Sequence, residues 1–400
     1  MTNCKNKVWR ISQFLSIYLT TSKGKGKLDA THFLGPENGA ADAVCRQRGD
    51  VFLITVTRHL FDRLPDGREV TAFVLANTAG MEITVLDYGG ILQSIRVPAA
   101  GGAVDVVRGY PDLDGYLANS GYIGALIGRN ANRIAGAAVE IDGVRCPLTA
   151  NEGTKQLHGG IRGFNQKLFD AAEIAGGVEL RCTSADGEEG FPGEVRLTAG
   201  YTLDDDGALT LDYRAVTTRD TIVNLTNHSY FNLNGGGTAM AHRLQIFASH
   251  MTPIDESAIP TGEIVPVAGT PFDFLAPHAP AERIGRDDWQ LHCGGGYDHN
   301  FALDKSAPGA LETAAVLEGE RSGIRMECRT TCPGLQLYTA NFLGGCKVPG
   351  KDGSILGNRE AVCLETQYFP DANAHRNFPS TILRAGDTWH ETTVYAFSAR

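Results

Sequence analysis

The residues of this chain best suited to proton transfer are one histidine and one glutamate. His228 lies in the stretch Asn-Leu-Thr-Asn-His-Ser-Tyr-Phe-Asn-Leu, residues 224–233. A histidine can accept or donate a proton near neutral pH without a large shift of its pKa. Glu365 lies in the strand-like run Cys-Leu-Glu-Thr-Gln, where partial loss of hydration would raise its pKa and make it a better base. An inward-facing Glu365 needs a partner or a function, because unpaired glutamates are rarely buried. A hydrogen-bonded structural role is the alternative for His228.

The neighbours of His228 are suited to shaping a pocket around it. Tyr230 follows two residues later and would share the face of His228 if the strand that begins near Asp220 continues. Small polar side chains could fix the tautomer of the ring: Asn224, Thr226, Asn227, Ser229 and Asn232.

A second group of polar residues could hold the hydroxyl groups of a small molecule. Arg129 and Arg133 are four residues apart in Gly-Arg-Asn-Ala-Asn-Arg-Ile, and Asn132 stands between them. Either guanidinium could donate several hydrogen bonds to hydroxyls or to a ring oxygen. Solvated arginines on a surface loop are the alternative.

Three further positions fit the same purpose. His158 precedes two glycines, which allow close approach of the backbone. Asp298 stands in a glycine-rich aromatic loop, where a carboxylate can accept hydrogen bonds from neighbouring hydroxyls, and Gln336 lies on a predicted strand. Taken alone, His158 could equally be a turn residue and Asp298 a solvated loop residue.

Metal binding is not expected. The acidic loop at residues 186–192 (Asp-Gly-Glu-Glu-Gly-Phe-Pro) lacks the alternating oxygen ligands of an EF-hand. The histidines at 242, 250, 292 and 299 lack zinc-binding spacing.

Short strands separated by turns must position these residues. The 48 glycines and 17 prolines punctuate the strands at turn spacing, which predicts an antiparallel sandwich or barrel rather than alternating β-α units. Residues 138–148 predict a hairpin around Asp142-Gly143. Residues 281–290 are the only fair helix candidate.

Composition restricts the classes of molecule that the protein could bind and the compartment in which it could work. The formal net charge is −10, with 36 basic against 46 acidic residues, which argues against nucleic acid or an anionic membrane as partner and favours a small neutral substrate. Nine cysteines without close pairs indicate free thiols in a reducing compartment. No apolar run is long enough to span a membrane.

The first 60 residues differ from the rest because they show no sustained hydrophobic period. We expect a poorly ordered N-terminal extension over residues 1–60 and one folded domain over residues 61–400. The N-terminus is a poor signal peptide, since its apolar run is interrupted and a basic, glycine-rich segment follows. We therefore expect a cytoplasmic location.

The motifs above, in the same order, resemble the aldose 1-epimerases, also called galactose mutarotases. The resemblance covers residues 65 to 398 and rests on Asn-His-Ser-Tyr-Phe-Asn-Leu, Leu-His-Gly-Gly, Leu-Glu-Thr-Gln and the other segments quoted. It implies that His228 is the catalytic acid and Glu365 the catalytic base. It also implies that substrate-binding residues are Asn132, Arg133, His158, Asp298 and Gln336, and we expect Tyr230, beside His228, to bind the substrate as well.

The resemblance further implies a large antiparallel β-sandwich of the galactose mutarotase type, a supersandwich. The implied reaction interconverts the α and β anomers of free aldohexoses by acid–base ring opening and closure, without a cofactor, and so serves hexose metabolism. We expect a monomer or a weak homodimer. Two alternatives remain: a hexose-6-phosphate epimerase on the same fold, which would need additional cations for the phosphate, and a non-catalytic sugar-binding protein.

Overall fold

Antiparallel strands form most of the regular structure. The computed structural model describes residues 54–118, 121–345 and 347–399, and the backbone of one short strand pair, Cys45–Gln47 with Asp50–Phe52. The first sheet is a five-stranded meander in chain order: Thr55–Arg63, Glu69–Ala76, Glu82–Leu86, Leu92–Val97 and Val104–Asp105.

The largest sheet has eight antiparallel strands, and its order places the C-terminal strand in the middle. From one edge to the other the strands are Asp170–Ile174, Gly177–Ser184, Val195–Leu203, Ala208–Thr217, Thr388–Ala399, Ile324–Thr330, Glu312–Glu318 and Arg243–Ile246. A further five-stranded sheet has the order Val265–Pro266, His250–Thr252, Asp298–Ala302, Gly334–Tyr338 and Cys363–Gln367.

Short strand pairs and single helical turns connect the sheets. The pairs are Leu126–Ile127 with Thr226–Asn227, Arg133–Ile134 with Gln156–Leu157, Ala138–Ile141 with Val144–Pro147, and Thr221–Ile222 with Ile382–Leu383. The α-helices are Leu113–Ala118 and Trp289–Cys293. The 3-10 turns are Ala135–Ala137, Phe164–Gln166, Glu188–Gly190, Pro280–Glu282, Leu343–Gly345 and Ala372–Ala374.

One hydrophobic core joins the three large sheets. Alternate residues of their strands, such as Val85, Leu197 and Leu337, are buried in the same cluster. This packing of sheet faces confirms the predicted antiparallel β-sandwich. In the residues that the structure describes, no helix is long and apolar enough to cross a membrane.

The alternation of side chains decides which residues of Cys363–Gln367 face the core. Leu364 belongs to the main core, and the Thr366 hydroxyl lies 2.5 Å from the Thr393 hydroxyl of the eight-stranded sheet. Because side chains alternate along a strand, Glu365 points to the opposite face of its sheet. That face carries the polar residues of the candidate site.

Local predictions had mixed outcomes. The hairpin is confirmed: Ala138–Ile141 pairs with Val144–Pro147, and Asp142 and Gly143 both have positive φ, as a tight hairpin turn requires. The prediction of a helix over residues 281–290 is wrong. The α-helix in this part of the chain is Trp289–Cys293, which begins only after Asp288, whose carboxylate caps the backbone N–H groups of Gln290 and Leu291.

A strand of the first sheet lies ahead of the predicted boundary at residue 61. The strand Thr55–Arg63 pairs with Glu69–Ala76, and Val56 is buried in the main core. Its residues 55–60 fall within the predicted N-terminal extension. They fold with the domain because the strand completes the sheet edge and buries Val56. Most of the predicted extension lies outside the described residues.

Candidate active site

His228 and Glu365, far apart in the sequence, face each other in a buried pocket. His228 Nε2 lies 3.7 Å from Glu365 Oε1, and the two side chains are 6% and 2% exposed. A second oxygen of Glu365 and Nδ1 of His228 have no hydrogen-bond partner among the described residues. Buried polar atoms are costly to leave unpaired, which makes this pair unusual among the buried residues of the protein.

Strand register brings three polar residues to the same face of the sheet. Gln336 is the direct partner of Glu365 on the neighbouring strand, and Asp298 lies one strand further on, opposite Tyr338. Gln336 Nε2 donates a hydrogen bond of 2.7 Å to Asp298 Oδ1. The sheet therefore holds Asp298 beside Glu365 through Gln336.

Backbone bonds and ring packing position His228. The backbone N–H of His228 donates to the Ala125 carbonyl, and its own carbonyl accepts from the Gly124 N–H. Its ring stacks on Tyr230, with centroids 5.0 Å apart and planes 17° from parallel. The strand ends at Asn227, so the rings meet without the continuous strand that the sequence suggested.

The polar neighbours of His228 do not fix its tautomer. Asn227 donates to the Gly124 carbonyl and accepts from Ser229, while Asn232 donates to two backbone carbonyls. Asn224 is bonded to the backbone of Tyr368. The interpretation that these side chains fix the tautomer is wrong, because the three asparagines are bonded to backbone groups and Nδ1 of His228 has no partner among the described residues.

His158 is fixed as a hydrogen-bond donor. Its Nδ1 accepts a bond of 3.1 Å from the Asn132 backbone N–H. Burial lowers the pKa of His158 well below its ordinary value, with the nearby His228 and Arg133 acting in the same direction. A neutral ring whose Nδ1 accepts carries its proton on Nε2.

Arg133 lies between two carboxylates. Its Nε and Nη2 donate to Glu152 at 2.8 and 3.0 Å, and its Nη1 lies 3.7 Å from Asp298. Burial raises the pKa of Asp298, while Arg133 and Gln336 oppose that shift.

Burial shifts the pKa values of the facing pair in opposite directions. It lowers the pKa of His228 to about 4. It raises the pKa of Glu365 well above the ordinary value, and the negative charge of Asp298 adds to that rise while Arg133 opposes it. Both shifts follow from the cost of holding a charge away from water.

These residues surround a cavity of about 400 Å³. Of the residues predicted from the sequence, those lining the wall are Asn132, Arg133, His158, His228, Tyr230, Asp298 and Glu365. Gln336 lies behind the wall. Sequence reasoning missed four lining residues with aromatic or charged side chains, Tyr122, Glu152, Tyr338 and Phe342. Tyr338 and Phe342 follow Gln336 closely in the chain, and that proximity was the available signal.

The two arginines of residues 128–134 have different surroundings. Arg129 is 2% exposed and donates to the carbonyls of Ser184, Ala185, Pro192 and Gly193. It therefore organises the acidic loop from inside, whereas Arg133 reaches the cavity.

The site does not suit a resident metal ion. Ligand atoms of His158, His228 and Glu365 lie within 4.8 Å of one another. A histidine that binds metal through Nε2 carries its proton on Nδ1 and donates it to a neighbouring acceptor. The Nδ1 of His158 instead faces the N–H donor of Asn132. The expectation of no metal stays a prediction.

Comparisons with known proteins agree with the sequence resemblance. The sequence profile of the family described as aldose 1-epimerase matches residues 71–396. The galactose mutarotase of Sus scrofa is 39% identical over 349 residues, which are 86% of this chain and 99% of that protein. The aldose 1-epimerase of Escherichia coli (strain K12) is 36% identical over 340 residues, 84% of this chain and 97% of that protein.

Solved structures show the same fold. The galactose 1-epimerase from Lactobacillus acidophilus NCFM superposes with a TM-score of 0.76 at 26% identity, covering 86% of this chain and 99% of that one. An aldose epimerase homologue from C. elegans has a TM-score of 0.75 at 30% identity, covering 80% and 97%. The predicted galactose mutarotase-type sandwich and the predicted isomerase class are confirmed. The chain belongs to the aldose 1-epimerase family, whose members are isomerases that interconvert the anomers of aldoses.

Proposed function

We propose that this protein interconverts the α and β anomers of free aldohexoses, with glucose and galactose as substrates. The observation that carries the proposal is the pair His228 and Glu365, 3.7 Å apart and facing the cavity. The names of the relatives, galactose mutarotase and aldose 1-epimerase, support an aldose substrate and, within that class, galactose.

The proposed chemistry needs only proton transfer. Glu365 removes the proton from the C1 hydroxyl while His228 donates a proton to the ring oxygen, and the C1–O5 bond breaks to give the open aldehyde. Rotation about C1–C2 presents the other face of the aldehyde, and the same two steps in reverse close the ring. Each group contributes roughly 10²–10⁴-fold, so together they lower the barrier by about 5–11 kcal/mol.

The pair must hold one proton for this reaction. The reactive arrangement is an ionised Glu365 beside a protonated His228. Burial favours the uncharged arrangement, with the proton on Glu365. Both arrangements have the same proton count, so converting one into the other needs no net uptake or release of a proton. Polar groups of the sugar, together with Arg133, favour the charged arrangement.

The remaining wall residues hold the pyranose. His158 donates from Nε2, Arg133 donates through Nη1, and Asp298 accepts from hydroxyls, while Asn132 fixes the ring of His158. Gln336 acts from behind by orienting Asp298. Tyr230 supports the imidazole of His228, since its hydroxyl is bonded to the Gly121 carbonyl.

The cavity favours an uncharged sugar over a phosphorylated one. Arg133 is the one lysine or arginine among the described lining residues, and Glu152 and Asp298 already neutralise it. A phosphate would need additional cationic donors.

Polarimetry tests the proposal directly. Fresh α-D-glucose or α-D-galactose is added to buffer with or without protein, and the approach to anomeric equilibrium is followed. We expect a protein-dependent rate above the spontaneous rate, unchanged in Glu140→Gln, which alters an exposed carboxylate that does not line the cavity. A rate equal to that of buffer would instead support a sugar-binding protein.

We further propose that the protein works in the cytoplasm. Six cysteines of the described residues are free thiols, and three of them are buried. Free thiols persist in a reducing compartment. Fractionation of cells that express the full chain with a C-terminal tag tests this, and recovery from the medium would contradict it.

A further inference from the structure

Glu152 occupies the face of Arg133 that is best suited to binding an anion. The two bonds from Arg133 Nε and Nη2, at 2.8 and 3.0 Å, reach different oxygens of the Glu152 carboxylate. Arginine binds the carboxylate or phosphate of a small molecule through the same paired donors. An internal carboxylate thus takes the position that a charged substrate group would seek.

The location of this carboxylate is built into the fold. Glu152 and Lys155 exchange backbone hydrogen bonds of 3.1 and 3.0 Å across a tight turn. Lys155 Nζ lies 3.1 Å from Glu152 and donates at 2.6 Å to the Ser257 carbonyl. Glu152 is therefore held from both sides and lines the cavity, with its side chain 34% exposed.

The charges around the cavity favour neutral ligands. Outside the pair His228 and Glu365, which carries no net charge while it holds one proton, the described lining residues include two carboxylates, Glu152 and Asp298, and one guanidinium, that of Arg133. Like charges brought together in a partly desolvated site repel each other, so an anion that enters must first displace or neutralise Glu152.

We propose that Glu152 is a specificity-determining residue that excludes anionic aldoses, namely sugar phosphates and uronates. It does so by occupying the paired donors of Arg133 and by placing a negative charge in the wall. The inference rests on the proposed function, because it concerns which aldoses reach His228 and Glu365. The chemistry at C1 is the same for neutral and anionic sugars, and only binding differs.

The test compares kcat/KM for D-glucose, D-glucuronate and D-glucose 6-phosphate by polarimetry at fixed ionic strength. In Glu152→Gln, which keeps the shape but removes the charge, the ratio of anionic to neutral kcat/KM should rise about tenfold or more. Glu152→Asp keeps the charge, so its ratio should stay within about threefold of the wild type. Glu140→Gln makes the same change of net charge away from the cavity and should leave the ratio unaltered.

An unchanged ratio in a folded Glu152→Gln protein would overturn the inference, even if activity on glucose falls. If that variant does not fold, Lys155→Met serves instead, because it removes a cation that partly neutralises Glu152. The ratio should then fall about threefold or more, and a ratio equal to that of the wild type would also overturn the inference. Failure of the proposed function is a different result, in which the wild type does not accelerate the mutarotation of glucose.

Discussion

At the scale of single residues, the unusual feature of this site is a buried histidine that faces a buried glutamate, and the proposed function requires the two to share one proton. Burial lowers the pKa of His228 to about 4 and raises that of Glu365 well above its ordinary value. Between these limits the pair holds one proton, and the apparent pKa values belong to the pair rather than to either residue.

This coupling predicts the pH dependence of kcat/KM, which reports the pKa values of the protein before the sugar binds. Below about pH 4 a second proton binds to the pair and removes the base, and above the raised pKa of Glu365 the only proton leaves and removes the acid. We expect a bell-shaped profile whose acid limb lies near pH 4, far below the ordinary histidine value of about 6.5. Initial rates over pH 3.5–10, corrected for the spontaneous reaction, measure it. An acid limb at pH 6–7 would show that His228 is not desolvated.

Glu365 should also reduce stability. Its folded pKa is raised, so its contribution to stability is fully present below the unfolded value near 4.5 and is lost as pH rises through the folded pKa. Glu365→Gln should therefore be more stable than wild type at pH 8, by about 0.5–2 kcal/mol, with the difference vanishing near pH 4. Chemical denaturation at both pH values tests this. A less stable variant at pH 8 would contradict it.

Much of the residue-level site was predictable because the motifs lie in short continuous segments. His228, His158, Asp298 and Glu365 all line or face the cavity as the resemblance implied. Glu152 was not predictable. The role of its carboxylate depends on the contact with Arg133, nineteen residues away in the chain, and the segment around Glu152 contains no recognisable motif.

At the scale of elements, side-chain alternation puts the proposed catalytic residue and the core residues of one strand on opposite faces of the sheet. Within Cys363–Gln367, Leu364 and Thr366 face the core while Glu365 faces the cavity. Runs of alternating side chains such as this one made the strands predictable from the sequence. The position of the helix was not predictable in the same way: it was expected over residues 281–290, but the capping carboxylate of Asp288 starts it only at Trp289.

The arginines at 129 and 133 offer a matched prediction. Arg129→Met should destabilise the protein by about 3 kcal/mol or more, because four carbonyl groups lose their buried donor. Arg133→Met should cost much less stability but raise KM about tenfold, because Arg133 faces the cavity. Urea denaturation and polarimetry on both variants separate the roles. Equal losses of stability in the two variants would contradict the assignment.

At the scale of the whole molecule, the sandwich includes residues ahead of the predicted boundary. The strand Thr55–Arg63 covers the edge of Glu69–Ala76 and contributes Val56 to the core. Hydrophobic period alone missed this strand because four consecutive residues of it, 57–60, are exposed.

Two truncations test the boundary. A chain that begins at Ile54 should retain the melting temperature and mutarotation rate of the full protein. A chain that begins at Leu64 should melt several degrees lower, because it loses the edge strand and leaves its neighbour unpaired. A large loss for the first truncation would make the preceding residues part of the fold.

Size-exclusion chromatography with light scattering on the same samples tests the expected monomer or weak homodimer.

The central claim is that His228 and Glu365 act as one proton-transferring unit. The most direct measurement is kcat for His228→Asn, Glu365→Gln and the double variant with α-D-galactose. Each single change should lower kcat by about 10²–10⁴ with little change in KM, because the other wall residues still bind the sugar. The double variant should lose far less than the product of the single losses. Near wild-type turnover in folded Glu365→Gln would contradict the mechanism.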